Sequence, residues 1–203
     1  MHGPDDPAGT HKCRYVRLVR RRLVALSPSF RTVAGLFGLA GLLTLIRQVV
    51  ELSDPAYYNP VTTLDYVAAW LTSVAVGTTA VALLVWWRRT PVRRGSWLLM
   101  IAGLAFAVSA AGNLLEDVFD LAIGGDLFTA GIVGFGATIL AGVLALTVSD
   151  PYRWSGLFLI GYAAGFGFPD SGGLWLAGAS LIGMAYWITR VSTDPKPQPA
   201  HPQ

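Results

Sequence analysis

Few side chains in this sequence could do chemistry within an apolar protein, and most of them belong to one polar group. Arg47 precedes Glu51 by one helical turn, and the other members of the group are Asp65, Asn113, Glu116, Asp117 and Asp120. All seven flank long apolar stretches whose ends are predicted to lie on the same side of the molecule. The side chains can therefore meet in space, where such a group can pair charges or collect cations.

Arg47 sets the choice between a structural and a functional role for this group. A lone arginine costs about 2.5–3.5 kcal/mol at the centre of a membrane-spanning helix and less near its end. Pairing with Glu116 or Asp117 would offset that cost and join the first and third apolar segments. Extension of the arginine to the membrane interface is a second structural alternative. The functional alternative is a shallow acidic vestibule that collects cations or a basic ligand.

Catalytic and cofactor signals are missing from the sequence. The three histidines, His2, His11 and His201, lie in the terminal segments, so none is placed to pair with an embedded acid or serine. The glycine-rich segments lack the lysine of a phosphate-binding loop. Cys13 is the only cysteine and cannot form an internal disulfide. We therefore expect no enzymatic activity, no metal and no cofactor.

The elements that must position the polar group are predicted to be membrane-spanning helices. The 203 residues are 53% hydrophobic and 13% charged, whereas soluble domains carry about 25% charged residues. A chain of this length cannot bury so many long apolar runs in a water-soluble core, and such runs are typical of transmembrane helices. We predict an all-α integral membrane protein, a bundle of about six transmembrane helices preceded by a short basic amphipathic helix. The predicted spans are 32–52, 64–87, 96–115, 127–147, 154–168 and 173–189.

Several details of these spans bear on function. The last two are short and form either two thin crossings, which we favour, or a hairpin that does not fully cross. The third has an acidic extension to Ile123 that Gly124 and Gly125 break, and Asp126 is predicted to cap the fourth. No proline lies inside any span and their inner two thirds carry no charge, so neither a discontinuous helix nor a proton relay is expected. Close helix packing is predicted where small residues recur every four positions, as at Gly103, Ala107 and Ala111.

Residues 14–31 are predicted to form a basic amphipathic helix on the cytoplasmic membrane surface. The basic side chains assigned to the lipid surface are Arg14, Arg17, Arg20, Arg21 and Arg22. Ser27 and Pro28 are expected to end this helix before the first span. An arginine run before an apolar stretch also fits a signal peptide, but no small-residue cleavage site follows, which favours a retained anchor. The polar segments 1–13 and 191–203 are predicted to be disordered.

The distribution of charge predicts the orientation of the chain. Fourteen of the fifteen Lys and Arg residues lie on one side of the six-span arrangement, whereas the loops of the other side carry only acidic residues. Loops rich in Lys and Arg stay in the cytoplasm. Both termini are therefore predicted to be cytoplasmic, in a protein of the cell membrane. Because the basic clusters flank the spans, we assign them to topology and anionic lipids, not to nucleic acid.

The function favoured by these patterns is non-enzymatic: a multi-pass membrane protein that binds or scaffolds another component of the cell membrane. The expected partners are the lipid bilayer, anionic lipids at its cytoplasmic face, and a second copy of the chain or another membrane protein. The alternative is a small solute or cation transporter or channel component that acts as an oligomer.

Overall fold

Every element that the structure describes is helical. The computed structural model describes residues 8–53, 62–89, 95–148, 151–168 and 172–193, with side chains from Phe30 onward. The helices are α1 (Ala8–Ser53), α2 (Thr63–Arg89), α3 (Ser96–Asp117), α4 (Ile123–Phe128), α5 (Ala130–Leu146), α6 (Ser155–Gly167) and α7 (Gly173–Thr193). A 3₁₀ helix, Pro151–Trp154, leads directly into α6. The predicted all-α class is confirmed for this part of the chain.

Five segments in the described ranges are long and apolar enough to cross a membrane. They are Phe30–Ser53, Thr63–Arg89, Ser96–Asp117, Ile123–Leu146 and Gly173–Ser192. Helix α6 has only 13 residues, which span about 20 Å at 1.5 Å per residue, whereas the hydrocarbon core of a bilayer is about 30 Å thick. The structure thus provides five candidate spans, and the sixth crossing, 154–168, stays a prediction.

The first helix is longer than the sequence suggested. Helix α1 begins at Ala8, inside the segment predicted to be disordered, and continues to Ser53 through Ser27 and Pro28, where a break was expected. A proline removes one intrahelical hydrogen bond, but the turns on both sides can keep the helix continuous. The structure does not describe the side chains of its proposed lipid-facing residues, Arg14, Arg17, Arg20, Arg21 and Arg22, and the terminal segments 1–7 and 194–203 lie outside the described residues. Their roles stay predictions.

The long helices form a closed ring. Helices α1, α2, α3, α5, α6 and α7 each pack against the preceding and following member, and α7 packs against α1; the short α4 packs against α3. Neighbours are antiparallel. In the α1–α7 pair, for example, Gly38 lies beside Ala185 and Gly41 beside Gly178. A ring of this kind encloses a central space that side chains from every member can reach.

The two ends of the ring differ in charge. One end, called the acidic end from here on, carries Glu51, Asp65, Glu116 and Asp117. The other, called the basic end, carries exposed arginines, which are Arg31, Arg88, Arg89, Arg153 and Arg190. The guanidinium of Arg153 lies 4.7 Å from the ring centroid of Trp154. Helices α1, α3 and α6 run toward the acidic end, and α2, α5 and α7 run away from it.

Buried side chains fill the interior of the ring toward the basic end. Its fully buried side chains include Phe37, Leu83, Leu159 and Ile188, and the ring of Phe37 meets the edge of Trp86 with the centroids 5.9 Å apart. These residues come from α1, α2, α6 and α7, so the core closes the centre of the ring at this end.

Small residues allow some helices to approach closely, as predicted, but not at every position in the pattern. A Cβ on Gly142 of α5 would lie 2.7 Å from the carbonyl oxygen of Gly156 in α6, and one on Gly103 of α3 would lie 2.7 Å from Leu84 in α2. Ala107 and Ala111, which continue the Gly103 series, are instead exposed on the outside of the ring.

The outer surface of the ring is apolar on every side. Each ring helix exposes large hydrophobic side chains, among them Leu39, Val81, Leu104, Leu140, Leu157 and Leu176. A helix that is hydrophobic all round is typical of a membrane span or of a deeply buried core. Exposed apolar surface on this scale is unusual for a water-soluble monomer.

Candidate functional site

A cavity of about 460 Å³ opens inside the ring toward its acidic end. Its polar wall contains Arg47 of α1, Asp65 of α2, and Asn113, Glu116 and Asp117 of α3. The cavity thus brings together five of the seven side chains in the predicted polar group. Glu51 joins them through its contact with Arg47, whereas Asp120 is exposed and does not line the cavity.

Arg47 forms an ion pair within its own helix. Its Nη1 lies 3.2 Å from Oε2 of Glu51, and the two side chains are 6% and 11% exposed. The sequence favoured Glu116 or Asp117 of α3 as the partner. In the structure the arginine instead pairs with the residue one turn along α1, because positions i and i+4 of a helix are neighbours.

Asp65 is buried in the first turn of α2, where it bonds back to Thr62, the residue before the helix. Its Oδ2 accepts hydrogen bonds from the backbone N–H and the hydroxyl of Thr62, at 2.8 and 3.0 Å, and its own N–H donates to the Thr62 hydroxyl at 3.2 Å. These reciprocal bonds form a capping box, which satisfies N–H groups at a helix start. The carboxylate therefore has a structural role at the cavity wall.

Asn113 joins α3 to α2. Its buried side-chain amide donates hydrogen bonds to the carbonyl oxygen of Ala69 at 3.1 Å and to the hydroxyl of Ser73 at 2.9 Å. Both acceptors lie on α2, so the bonds fix the contact between the two helices beside the cavity. Asn113 was predicted to share a face with the acidic residues, and it acts here as an interhelical link.

Glu116 and Asp117 form the last turn of α3, so the helix ends before the predicted extension to Ile123. The chain leaves the helix after Asp117, and Asp120 takes a left-handed conformation with φ 53°. The Asp120 N–H donates to the Glu116 carbonyl at 3.0 Å, a bond typical of helix ends, where Asp tolerates the left-handed region. Asp120 is therefore not on one helical face with Asn113 and Glu116, contrary to the prediction.

The next helix begins earlier than predicted and is broken. Gly124 and Asp126 lie inside α4, so neither ends a helix nor caps one. A Cβ on Gly124 would lie 2.6 Å from Cβ of Glu116, which shows why glycine is needed where α4 crosses the end of α3. Helix α4 then ends at Phe128, and α5 begins at Ala130.

Ser109 stabilises the break between α4 and α5. The Ile132 N–H donates to the Thr129 carbonyl at 3.0 Å in a tighter turn. The carbonyl of Phe128, which would take the Ile132 N–H in a regular α-helix, instead accepts a hydrogen bond from the Ser109 hydroxyl of α3 at 3.0 Å. Because Phe128, Thr129 and Ile132 all line the cavity, the break shapes its wall.

Aromatic rings form the deep wall of the cavity, a feature that the sequence did not single out. Phe106, Phe135 and Phe166 line it from α3, α5 and α6. The centroids of Phe106 and Phe135 are 5.0 Å apart, and those of Phe135 and Phe166 are 5.7 Å apart with nearly parallel planes. Tyr162 contacts all three from the buried side. These rings separate the cavity from the packed core.

The arrangement is suited to binding. Among the described residues, no three His, Cys, Asp or Glu side chains are grouped to hold a metal ion. The cavity instead combines carboxylates near its mouth with aromatic rings at its depth, and its volume falls within the range of small-molecule sites, roughly 300–1,000 Å³. The chain matches no family model, no curated protein and no solved structure. Its function is therefore inferred from the cavity.

Proposed function

We propose that the protein is a multi-pass protein of the cell membrane that binds a small ligand in this cavity without transforming it. The apolar exterior of the ring supports a position within the bilayer. In this arrangement α6, together with its preceding 3₁₀ turn, forms a short sixth crossing between α5 and α7. The arginines of the basic end face the cytoplasm, so the cavity opens outward.

The single observation that carries this proposal is the cavity itself, with its division into a charged mouth and an aromatic depth. Helix packing alone would favour filling such a space, because empty volume inside a protein forfeits dispersion contacts. The cavity walls are also held by specific hydrogen bonds from Ser109 and Asn113. Ligand binding explains why the space stays open although its walls are fixed by hydrogen bonds.

Transport of the ligand is the second candidate function, and the tightened turn at Thr129, between α4 and α5 within one candidate span, is the observation that favours it. Transporters commonly build their substrate sites at discontinuous helices. The aromatic rings would then act as a barrier between the cavity and the basic end, and rearrangement of Phe106, Phe135 and Phe166 would open a path. The cavity lies inside one ring, so such a path would run through a single chain and would not require an oligomer.

Accessibility of single cysteines tests both the cavity and its orientation. In a Cys13→Ser background, Thr72→Cys places a thiol on the cavity wall, because Thr72 lines the cavity. Its hydroxyl bonds only within its own helix turn, to Ala68. Val74→Cys is the matched control, since Val74 lies two residues away on the exposed apolar surface. Both are treated with a charged, membrane-impermeant thiol reagent in right-side-out and inside-out vesicles.

A binding protein predicts that Thr72→Cys reacts only in right-side-out vesicles and that Val74→Cys reacts in neither. Reaction of Thr72→Cys from both sides would support transport over binding alone. Reaction only in inside-out vesicles would overturn the orientation, and no reaction from either side would overturn the open cavity.

A further inference from the structure

We infer that the ligand of this cavity is an amphipathic organic cation, with its charged group at Glu116 and Asp117 and its apolar body against Phe106, Phe135 and Phe166. This inference rests on the proposed binding function and specifies its ligand class. It follows from three properties of the cavity: the balance of charge on its wall, the chemistry of its depth, and its length.

The charges at the mouth favour a cation. Arg47 is offset by Glu51, whose carboxylate lies 3.2 Å from the guanidinium. Asp65 is engaged by the N–H and the hydroxyl of Thr62. Among the described residues, no hydrogen bond or salt bridge shorter than 4 Å engages the side chain of Glu116 or Asp117. The carboxylates therefore outnumber the single guanidinium at the mouth, and an anion would meet repulsion there.

The depth of the cavity favours an apolar body over a bare metal ion. The apolar part of its lining includes the rings of Phe106, Phe135 and Phe166 together with small aliphatic side chains such as Ala68 and Val76. Aromatic faces attract alkylammonium groups and bury apolar surface, but they offer no oxygen ligands to a hydrated inorganic cation. An inorganic ion would contact the carboxylates at the mouth and would make no favourable contact with the aromatic part of the cavity.

The position of the two zones sets the shape of the ligand. Phe106 and Glu116 lie ten residues apart on α3, which corresponds to about 15 Å along the helix axis. Long side chains shorten the gap between the two zones, but an elongated molecule with its charge at one end still fits better than a compact one. Together with the volume of about 460 Å³, this indicates a ligand such as an aryl-alkyl ammonium.

Four probes separate charge from apolar body in the full-length protein held in lipid nanodiscs. Phenylbutyltrimethylammonium has both, tetramethylammonium has the charge alone, phenylbutanol has the body alone, and phenylbutyrate has the body with the opposite charge. Equilibrium binding is measured against protein-free nanodiscs, which corrects for partition into lipid. We expect phenylbutyltrimethylammonium to bind at least about tenfold more tightly than each of the other three.

Two sets of variants, each with its own control, assign the contacts. Glu116→Gln and Asp117→Asn should each weaken binding of the cation about tenfold, whereas Asp120→Asn, an acidic residue outside the cavity, should leave binding unchanged. Phe166→Leu should weaken it about threefold to tenfold, whereas Phe168→Leu, which is 69% exposed and outside the cavity, should not. Melting temperatures of all variants identify any loss of fold, and the near-isosteric amide changes keep the charge test independent of packing.

Tighter binding of phenylbutyrate or phenylbutanol than of the cation would overturn this inference, as would equal losses from Asp120→Asn and Glu116→Gln. Binding of the zwitterion phenylalanine above that of phenylbutyltrimethylammonium would also overturn it, because Arg47 would then be a recognition group. If Thr72→Cys is accessible from outside but the cation is not preferred, the ligand class is wrong and the binding function stands. If Thr72→Cys is inaccessible, both fail.

Discussion

The ion pair between Arg47 and Glu51 is expected to couple the two residues by about 1–3 kcal/mol of unfolding free energy. The charged atoms lie 3.2 Å apart on side chains that are 6% and 11% exposed. At an effective dielectric constant of about 20, the attraction at this separation is about 5 kcal/mol. Removing both charges from water offsets much of that attraction, which leaves the smaller coupling.

A double-mutant cycle with Arg47→Gln and Glu51→Gln measures this coupling. Each single change removes the charge that the other residue contacts at 3.2 Å and should cost about 3–5 kcal/mol. The double change should cost less than the sum of the two. The assay is reversible unfolding of the purified protein in mixed micelles, with the free energy taken from the denaturant dependence. A control cycle of Arg47→Gln with Asp120→Asn should give less than about 0.5 kcal/mol, because Asp120 is exposed.

Two results would refute this reasoning. Additive losses from Arg47→Gln and Glu51→Gln would show that the 3.2 Å contact carries no stability. A larger coupling of Arg47 to Glu116 than to Glu51 would restore the interhelical pair that the sequence favoured, and α3 would then be joined to α1 by charge.

Three further changes test the structure around the cavity, each by the same unfolding measurement. Asn113→Ala removes two interhelical hydrogen bonds and should cost about 1–2 kcal/mol; no loss would show that the bonds do not form. Gly142→Ala should cost about 1–3 kcal/mol through overpacking, whereas Gly136→Ala, with no atom within 4 Å of its new Cβ, should be neutral or stabilise the helix by up to about 1 kcal/mol. Thr62→Ala should cost about 1 kcal/mol by removing the cap, and equal losses from the neighbouring Thr63→Ala would contradict the capping box.

Local patterns in the sequence predict the features that depend on residues close together in the chain. Long runs without charge predict membrane-spanning helices, because a helix satisfies its backbone hydrogen bonds within the segment that crosses the bilayer. The spacing of Arg47 and Glu51 is compatible with their ion pair, since residues four apart share a helix face. The spacing of Thr62 and Asp65 is likewise that of a capping box, which is typical of helix starts.

Contacts between distant segments were not contained in local patterns. Phe106, Phe135 and Phe166 stand among many other apolar residues of their helices, and nothing in their spacing marks them as one cluster. They meet because the ring brings α3, α5 and α6 together. The left-handed conformation of Asp120 could not be predicted from nearby residues either, because Asp120 lies in the turn by which α4 packs back against α3.

The break between α4 and α5 links the polar and aromatic halves of the cavity. It occurs without a proline, so the absence of proline from the span gave no warning of it. The break is maintained from outside its own helix: Ser109 supplies the hydrogen bond that the Phe128 carbonyl lacks. Gly131 leaves room for that serine, since a Cβ there would lie 2.8 Å from its hydroxyl oxygen. A regular helix would need neither Ser109 nor Gly131 at these positions. Both residues therefore support the irregular turn that lines the cavity.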